Sequence, residues 1–257
     1  MGDRQLLYIG SGNKVHEMTQ KILGISGHKR AGKTTCINFL HGYELQRNQI
    51  VEKFSLDKRG QLLVNATFMD ENGEELERMG KLDLNSTDPR FMEYCSSNIW
   101  PFVKSYNFAD ALKSIAINFF GLAYEQCYGS EQEKSTPSPI KDFTAREFLQ
   151  HFGTDVCRSL KEDVWVDFCI NKIKSEESEL ALIGDCRFPD EVEAIQNAGG
   201  KVVRLTRAPY EDSHVSETAL DTFEGFDATI DNQDMTVGDQ SKELLNILSE
   251  WGWLTSV

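Results

Sequence analysis

Gly27-His28-Lys29-Arg30-Ala31-Gly32-Lys33-Thr34 is a full match to G-x-x-x-x-G-K-[ST]. The apolar run Ile22-Leu23-Gly24-Ile25-Ser26 comes before it, and Thr35-Cys36-Ile37-Asn38-Phe39-Leu40 follows with apolar spacing suited to a helix. Strand, glycine turn and helix form the setting in which this pattern cradles phosphate. The glycines let the backbone curl so that successive N–H groups point at phosphate oxygens, and the helix start adds a positive dipole end. Lys33 is expected to reach the β- and γ-phosphates and the Thr34 hydroxyl to ligate Mg²⁺. A chance glycine turn would not need both flanking elements, so the chain is expected to bind a nucleoside triphosphate.

Working outward, strands alternate with helices. The helix after the loop is expected to reach about Leu45. Ser105-Tyr106-Asn107-Phe108-Ala109 reads as a second core strand and 110–120 as a helix. Residues 131–141, with two prolines, read as a loop. A helix is expected from Phe143 to Leu160, although Gly153 interrupts it, and another from about Asp163 to Lys174. The buried strand 179–184 ends at Asp185, and Pro189 opens a helix that stops at Gly199-Gly200. Strands follow at 201–206 and 227–230, then a helix from about Gly238 to Ser249. This alternation calls for an α/β fold with a parallel central sheet and the ligand at the strands' carboxyl ends.

Residues 50–84 break the pattern. Val51 to Leu56 and Leu62 to Met69 read as strands joined by Asp57-Lys58-Arg59-Gly60, and Glu71-Asn72-Gly73 is a second hairpin signal. This β-rich insertion suits a substrate lid, a subunit contact or a plain decoration equally well. Residues 85–101 read as polar and irregular. Residues 1–17 read as a dispensable extension or a short extra strand, with 18–257 as one domain.

With 257 residues the chain can bury one sizeable core. Its net charge of −14 argues against a nucleic-acid backbone as the main ligand, so cations that meet phosphate must be concentrated locally. The six cysteines contain no C-x-x-C pair, which fits reduced thiols in a cytosolic protein. No run is long enough to span a membrane, and the N-terminus lacks the features of a signal peptide.

Asp185-Cys186-Arg187-Phe188-Pro189-Asp190-Glu191 puts acids and a base in one short turn, suited to Mg²⁺ and phosphate together; an ion pair capping the next helix is the simpler alternative. Arg146, Gln150 and Thr154 recur every four residues and share a helix face, with Arg158 further along; arginine offers a fork for phosphate and glutamine a partner for a base edge. Gly153, mid-helix, suggests close approach by a ligand or another backbone. Arg204 and Arg207 leave a strand towards the same edge, where phosphoryl transfer needs cations. His214-Val215-Ser216-Glu217 reads as a lid or helix-start motif.

Together these motifs resemble the bacteriophage-type deoxynucleoside monophosphate kinases, within the P-loop nucleotide kinases. The likeness is carried by 27–34, by Phe108-Ala109-Asp110-Ala111-Leu112-Lys113, by Arg146 to Asp155, by Asp185-Cys186-Arg187 with Glu191, and by 214–217. Ala111 stands where relatives often carry proline, and Thr34-Thr35 where some phage members have Asp-Thr. The resemblance implies a three-layer kinase fold and transfer of the γ-phosphoryl of ATP to a 2′-deoxynucleoside 5′-monophosphate, with Mg²⁺. It places ATP on Gly27, Lys29, Arg30, Ala31, Gly32, Lys33, Thr34 and Thr35, with Asn232 at the adenine. It places the acceptor on Lys113, Arg146, Gln150, Gly153, Thr154, Trp165, Arg187 and Glu217. Asp185, Arg187 and Glu191 would lie at the phosphates, Thr34 and Asp185 at the metal, and Arg207 or Arg204 would be the lid arginine. A homodimer in the cytoplasm, that of an infected host if phage-encoded, is what the resemblance implies for assembly and location.

Other readings compete. A kinase for dephospho-coenzyme A or phosphomevalonate would share the loop, as would an acceptor-independent ATPase. A GTP switch needs N-K-x-D, and Asn171-Lys172-Ile173-Lys174 lacks the aspartate. A DNA-linked motor is disfavoured by the charge.

Overall fold

The computed structural model describes residues 20–69, 75–209 and 215–254. The expectations for residues 1–17, for the turn at 71–73 and for His214 lie outside the described residues.

Five parallel strands form the central sheet: β1 (Lys21–Ser26), β5 (Val103–Tyr106), β6 (Leu180–Cys186), β7 (Lys201–Leu205) and β8 (Ala228–Ile230), in the order β5-β6-β1-β7-β8. The middle strands are nearly continuous apolar runs because both faces are covered. On one face Leu23, Ile25, Leu182, Val203 and Leu205 pack with α1 (Lys33–Arg47) and α10 (Val237–Glu250). On the other, Ile22, Ala181, Ile183 and Val202 pack with α7 (Val164–Glu176) and α8 (Pro189–Asn197). This is the expected α/β architecture, with each strand sending alternate residues to opposite layers.

The insertion is a separate antiparallel sheet, β2 (Phe54–Leu56), β3 (Leu62–Met69) and β4 (Glu75–Lys81). It leans on α1, and Leu62 and Val64 join the core beneath it.

Three boundaries differ from the sequence reading. Residues 89–98 form helix α2 (Pro89–Asn98), where irregular chain was expected. Asp88 caps it by accepting from the N–H groups of Arg90 and Phe91, and Pro89 sits at the first turn, where its missing N–H costs nothing. The core strand expected at 105–109 lies at 103–106, and the residues after it turn into α3 (Asp110–Phe120). The loop expected at 131–141 begins with the single turn α5 (Glu131–Lys134), just after α4 (Tyr124–Tyr128).

The long helix expected at 143–160 changes character midway. It opens as α6 (Ala145–Gln150), with Thr144 and Glu147 forming a reciprocal capping box. From His151 to Arg158 it becomes π-helical, a widened turn that often marks functional sites. Phe148, Phe120 and Phe152 pack there with ring centroids 4.9–5.6 Å apart, closing a small helical lobe over α3 and α4.

Candidate active site

The loop leaves β1 through Gly27 (φ 149°) and enters α1 through Gly32 (φ 108°), with Arg30 also left-handed (φ 60°). No side chain at Gly32 caps α1, so the first N–H groups of the helix are directed to whatever anion lies in the loop. Lys33 is mostly buried, and its Nζ donates to the carbonyls of Gly27 (2.5 Å) and His28 (2.8 Å). Burial, then the nearby Arg187, lower its pKa to about 8, with Glu217 opposing.

Asn232 and Gln240 brace the loop from below. The Asn232 amide donates to Ala31 O and to Gln240 Oε1, both at 2.7 Å, and its oxygen accepts from Arg207 N. Gln240 Nε2 donates to Gly32 O (3.2 Å) and Cys36 Sγ (3.0 Å). Asn232 is fully buried, with its amide group given to the loop's backbone and to Gln240. Gln240 was missed by the sequence reading. Its signal is a polar residue on the buried stripe Gln240, Leu244, Ile247 and Leu248 of α10.

The two candidate lid arginines are both engaged. Arg207 donates to Asn232 O (2.5 Å) and Met235 O (2.7 Å), tying the loop after β8 to that after β7. In this structure Arg207, expected as a lid arginine, serves as a backbone clamp. Arg204 donates to Ser26 Oγ (3.1 Å) and Asp221 Oδ1 (3.0 Å), beside the phosphate loop, where its charge is felt by Lys33.

The turn after β6 is split between two jobs. Asp185 is half-buried and accepts from Phe108 N (3.0 Å) and Ala109 N (3.2 Å), which pins the start of α3 beside the loop. Burial raises its pKa, and those two N–H groups pull it back. Glu191 accepts from Arg187 N (2.7 Å) and Phe188 N (3.1 Å) as the third residue of α8, and pairs with Arg158 at 3.2 Å. Burial and then Asp185 push its pKa up to about 8, against those backbone bonds. These contacts are those of the helix-capping ion pair, with Arg158, also held by Asp190 at 3.0 Å, as the partner.

Arg187 stands at the mouth. Its Nη1 donates to Glu217 Oε1 at 2.6 Å, while Glu217 Oε2 accepts from Lys29 N at 2.8 Å. Glu217, on the single-turn helix α9 (Val215–Thr218), thus touches the phosphate loop itself. A second carboxylate, Glu131, bridges Lys29 Nζ (2.9 Å) and Arg146 Nη2 (2.6 Å), linking the loop to the helical lobe. The sequence reading had left Glu131 in a loop without a role.

In the lobe, Arg146, Gln150 and Thr154 lie on partly or fully exposed positions of one helical run, as their spacing implied. Gly153 is buried against Leu112, whose Cδ2 would lie 2.6 Å from an added Cβ, so it admits a neighbouring helix's side chain rather than a ligand. Trp165 is also buried, and its indole N–H donates to Gly153 O at 3.0 Å, which makes it a support for the π-helical turn. Lys113 lies over the Tyr128 ring at 4.3 Å, and Tyr128 in turn bonds Asp110.

The family model for deoxynucleotide monophosphate kinase matches residues 21–242. A protein of Acanthamoeba polyphaga mimivirus named "Putative deoxynucleotide monophosphate kinase" is 28% identical over 141 residues, covering 49% of this chain and 73% of that protein. The matched stretch takes in the phosphate loop, the helical lobe and the Asp185–Glu191 turn, and the chain belongs to the deoxynucleotide monophosphate kinase family.

Proposed function

We propose that this chain transfers the γ-phosphoryl group of ATP to a 2′-deoxynucleoside 5′-monophosphate, giving the diphosphate and ADP. The observation that carries the reading is the pair of carboxylate bridges at the mouth. Glu131 lies between Lys29 and Arg146, and Glu217 between Arg187 and the Lys29 backbone. Each carboxylate sits where phosphate oxygens would find the same cations, one set on the loop and one on the lobe. Arginine suits both, since its planar fork meets phosphate bidentately.

In this mechanism an acceptor phosphate oxygen attacks the γ-phosphorus as the bond to the β-bridging oxygen breaks, and ADP leaves. The loop N–H groups and Lys33 hold the donor. Lys33 turns from its two carbonyls to the β- and γ-phosphates, and Arg187 and Arg204 neutralise the moving group. Arg146 and Gln150 orient the acceptor from the lobe. The residues fit a magnesium ion of the usual kinase kind, which keeps several waters and takes few protein ligands. Thr34 supplies a hydroxyl, and Asp185 keeps acceptor capacity beyond its two backbone bonds; among the described residues there is no cluster of three metal-ligating side chains, and this kind of site needs none. When bound, the ion would supply charge neutralisation on the donor's phosphates.

The test is ADP release from ATP by the purified chain with each deoxynucleoside monophosphate in turn. Ribonucleotides, dephospho-coenzyme A, phosphomevalonate and a no-acceptor control run beside them. Turnover that depends on a deoxynucleotide supports the reading and gives the base range. Turnover only with a non-nucleotide acceptor keeps the kinase and overturns the substrate, and release indifferent to acceptor makes the chain an ATPase.

A further inference from the structure

We propose that the β-rich insertion completes the donor side of the site: the turn at 57–60 brings Lys58 and Arg59 to the donor's phosphates, and the cavity beside it takes the donor's base. This rests on the reading that the chain binds ATP.

The turn is fastened to the first turn of α1. Asn38 Nδ2 donates to Gly60 O at 2.8 Å, and Gly60 packs directly on Thr35, the residue after Thr34. Gly60 has φ +73°, and a Cβ there would lie 2.2 Å from Thr35 Oγ1. The turn is also preformed: Asp57 Oδ1 accepts from Arg59 N and Gln61 N, both at 2.8 Å, and Gly60 N donates back to Asp57 O.

That construction carries two exposed cations. Among the described residues, neither the Lys58 nor the Arg59 side chain has a hydrogen-bond or ion-pair partner. Arg204, Arg207 and Arg158, by contrast, are each held by protein oxygens. In a chain of net charge −14, two unpartnered cations on a turn fastened to the helix that opens at the phosphate loop are suited to receive an anionic ligand.

The neighbouring cavity has a volume of about 450 Å³, within the range of small-ligand pockets. Phe39, Phe54 and Leu56 wall one side, and Val237, Ser241 and Leu245 the other. Leu56 directly precedes the turn, and the α10 wall reaches the loop through Gln240 on Gly32. Phe39 lies five residues beyond Thr34, roughly 7.5 Å along the helix axis, so a nucleoside leaving the loop over Thr35 runs towards it. The Phe39 and Phe54 rings, 5.7 Å apart, give an apolar wall for a planar base, while Ser55 and Lys242 supply polar edges.

The experiment is calorimetric titration of the full chain, with Mg²⁺, by ATP and separately by inorganic tripolyphosphate. It compares wild type with Lys58→Ala/Arg59→Ala and with Ser55→Trp; all three positions are exposed, and thermal melting checks that each variant folds. The double variant should weaken both ligands about tenfold, equivalent to one factor of ten in Kd. Ser55→Trp, which obstructs the cavity, should weaken ATP about tenfold and leave tripolyphosphate unchanged. If both variants bind ATP like wild type, the insertion is no part of the donor site and the inference falls while the kinase reading stands. If only the double variant loses affinity, the base slot is overturned. Wild type that binds neither ligand would remove the donor site itself and this inference with it.

Discussion

Lys33 spends its charge on two carbonyls of its own loop, with burial and Arg187 holding its pKa near 8. A γ-phosphate offers that ammonium a better partner, so its role is realised only with donor bound. Lys33→Ala should lower kcat at least about 100-fold, the usual loss for one stabilising cation or donor, while thermal unfolding shifts little. Normal turnover in that variant would contradict the role. Asp185 presents a different balance. Its half-buried carboxylate accepts two backbone N–H groups that no other acceptor serves among the described residues, so Asp185→Asn can turn only one oxygen to them and sets an amide N–H₂ against the rest. The expected cost is about 1–3 kcal/mol in urea unfolding, together with weaker turnover because the start of α3 is loosened. An Asp185→Asn protein as stable as wild type would show that the strand end does not depend on this carboxylate.

At the level of elements, α10 serves as the foundation of the phosphate loop. Asn232→Ala would strand the Ala31 carbonyl and the Arg207 N–H in a dry environment, so a loss of about 1–3 kcal/mol in denaturant unfolding is expected, with weaker ATP binding alongside. Unchanged stability would mean the loop holds its shape without the brace. The contrast with what could be read from the chain is instructive. The phosphate loop was legible because glycines, lysine and hydroxyl must occur at fixed spacing in one local stretch. The central strands were legible because burial on both faces demands unbroken apolar runs. Asn232, Gln240, Glu131 and Arg158 were not legible in their present roles, because each meets a partner from another element and leaves no local pattern. Helix α2 was missed for a plainer reason, since its residues are mostly exposed and only the Asp88-Pro89 cap announces it. The π-helical turn at 151–158 was hidden because helical spacing continues through it, and Gly153, taken as a sign of close approach by a ligand or another backbone, meets the Leu112 side chain.

For the whole molecule, two buried groups set opposite responses to pH. His41 on α1 is fully buried; its Nε2 lies 2.7 Å from Ser105 Oγ on β5, its Nδ1 has no partner among the described residues, and burial lowers its pKa to about 3. The unfolded chain takes up that proton below pH 6.5 while the native state refuses it until about 3. Stability is therefore complete above 6.5 and declines as pH falls, by on the order of 5 kcal/mol at the bottom of that window. Glu191 acts in reverse. Its folded pKa of about 8 lies above the ordinary 4.5, so its contribution is complete below 4.5 and is lost as pH rises through 8. Between 4.5 and 6.5 the two slopes oppose one another, each worth about 1.4 kcal/mol per pH unit, and together they leave a plateau there. Urea unfolding measured across this interval, with each variant's stability subtracted from wild type at the same pH, isolates each group. His41→Gln should expose the Glu191 slope, with stability falling as pH rises from 4.5 to 6.5. Glu191→Gln, which keeps a cap acceptor at the third helical position, should expose the opposite slope, with stability rising over the same interval. If either difference from wild type is flat in pH, that group does not titrate differently in the native and unfolded states, and its burial has been accommodated without moving its proton.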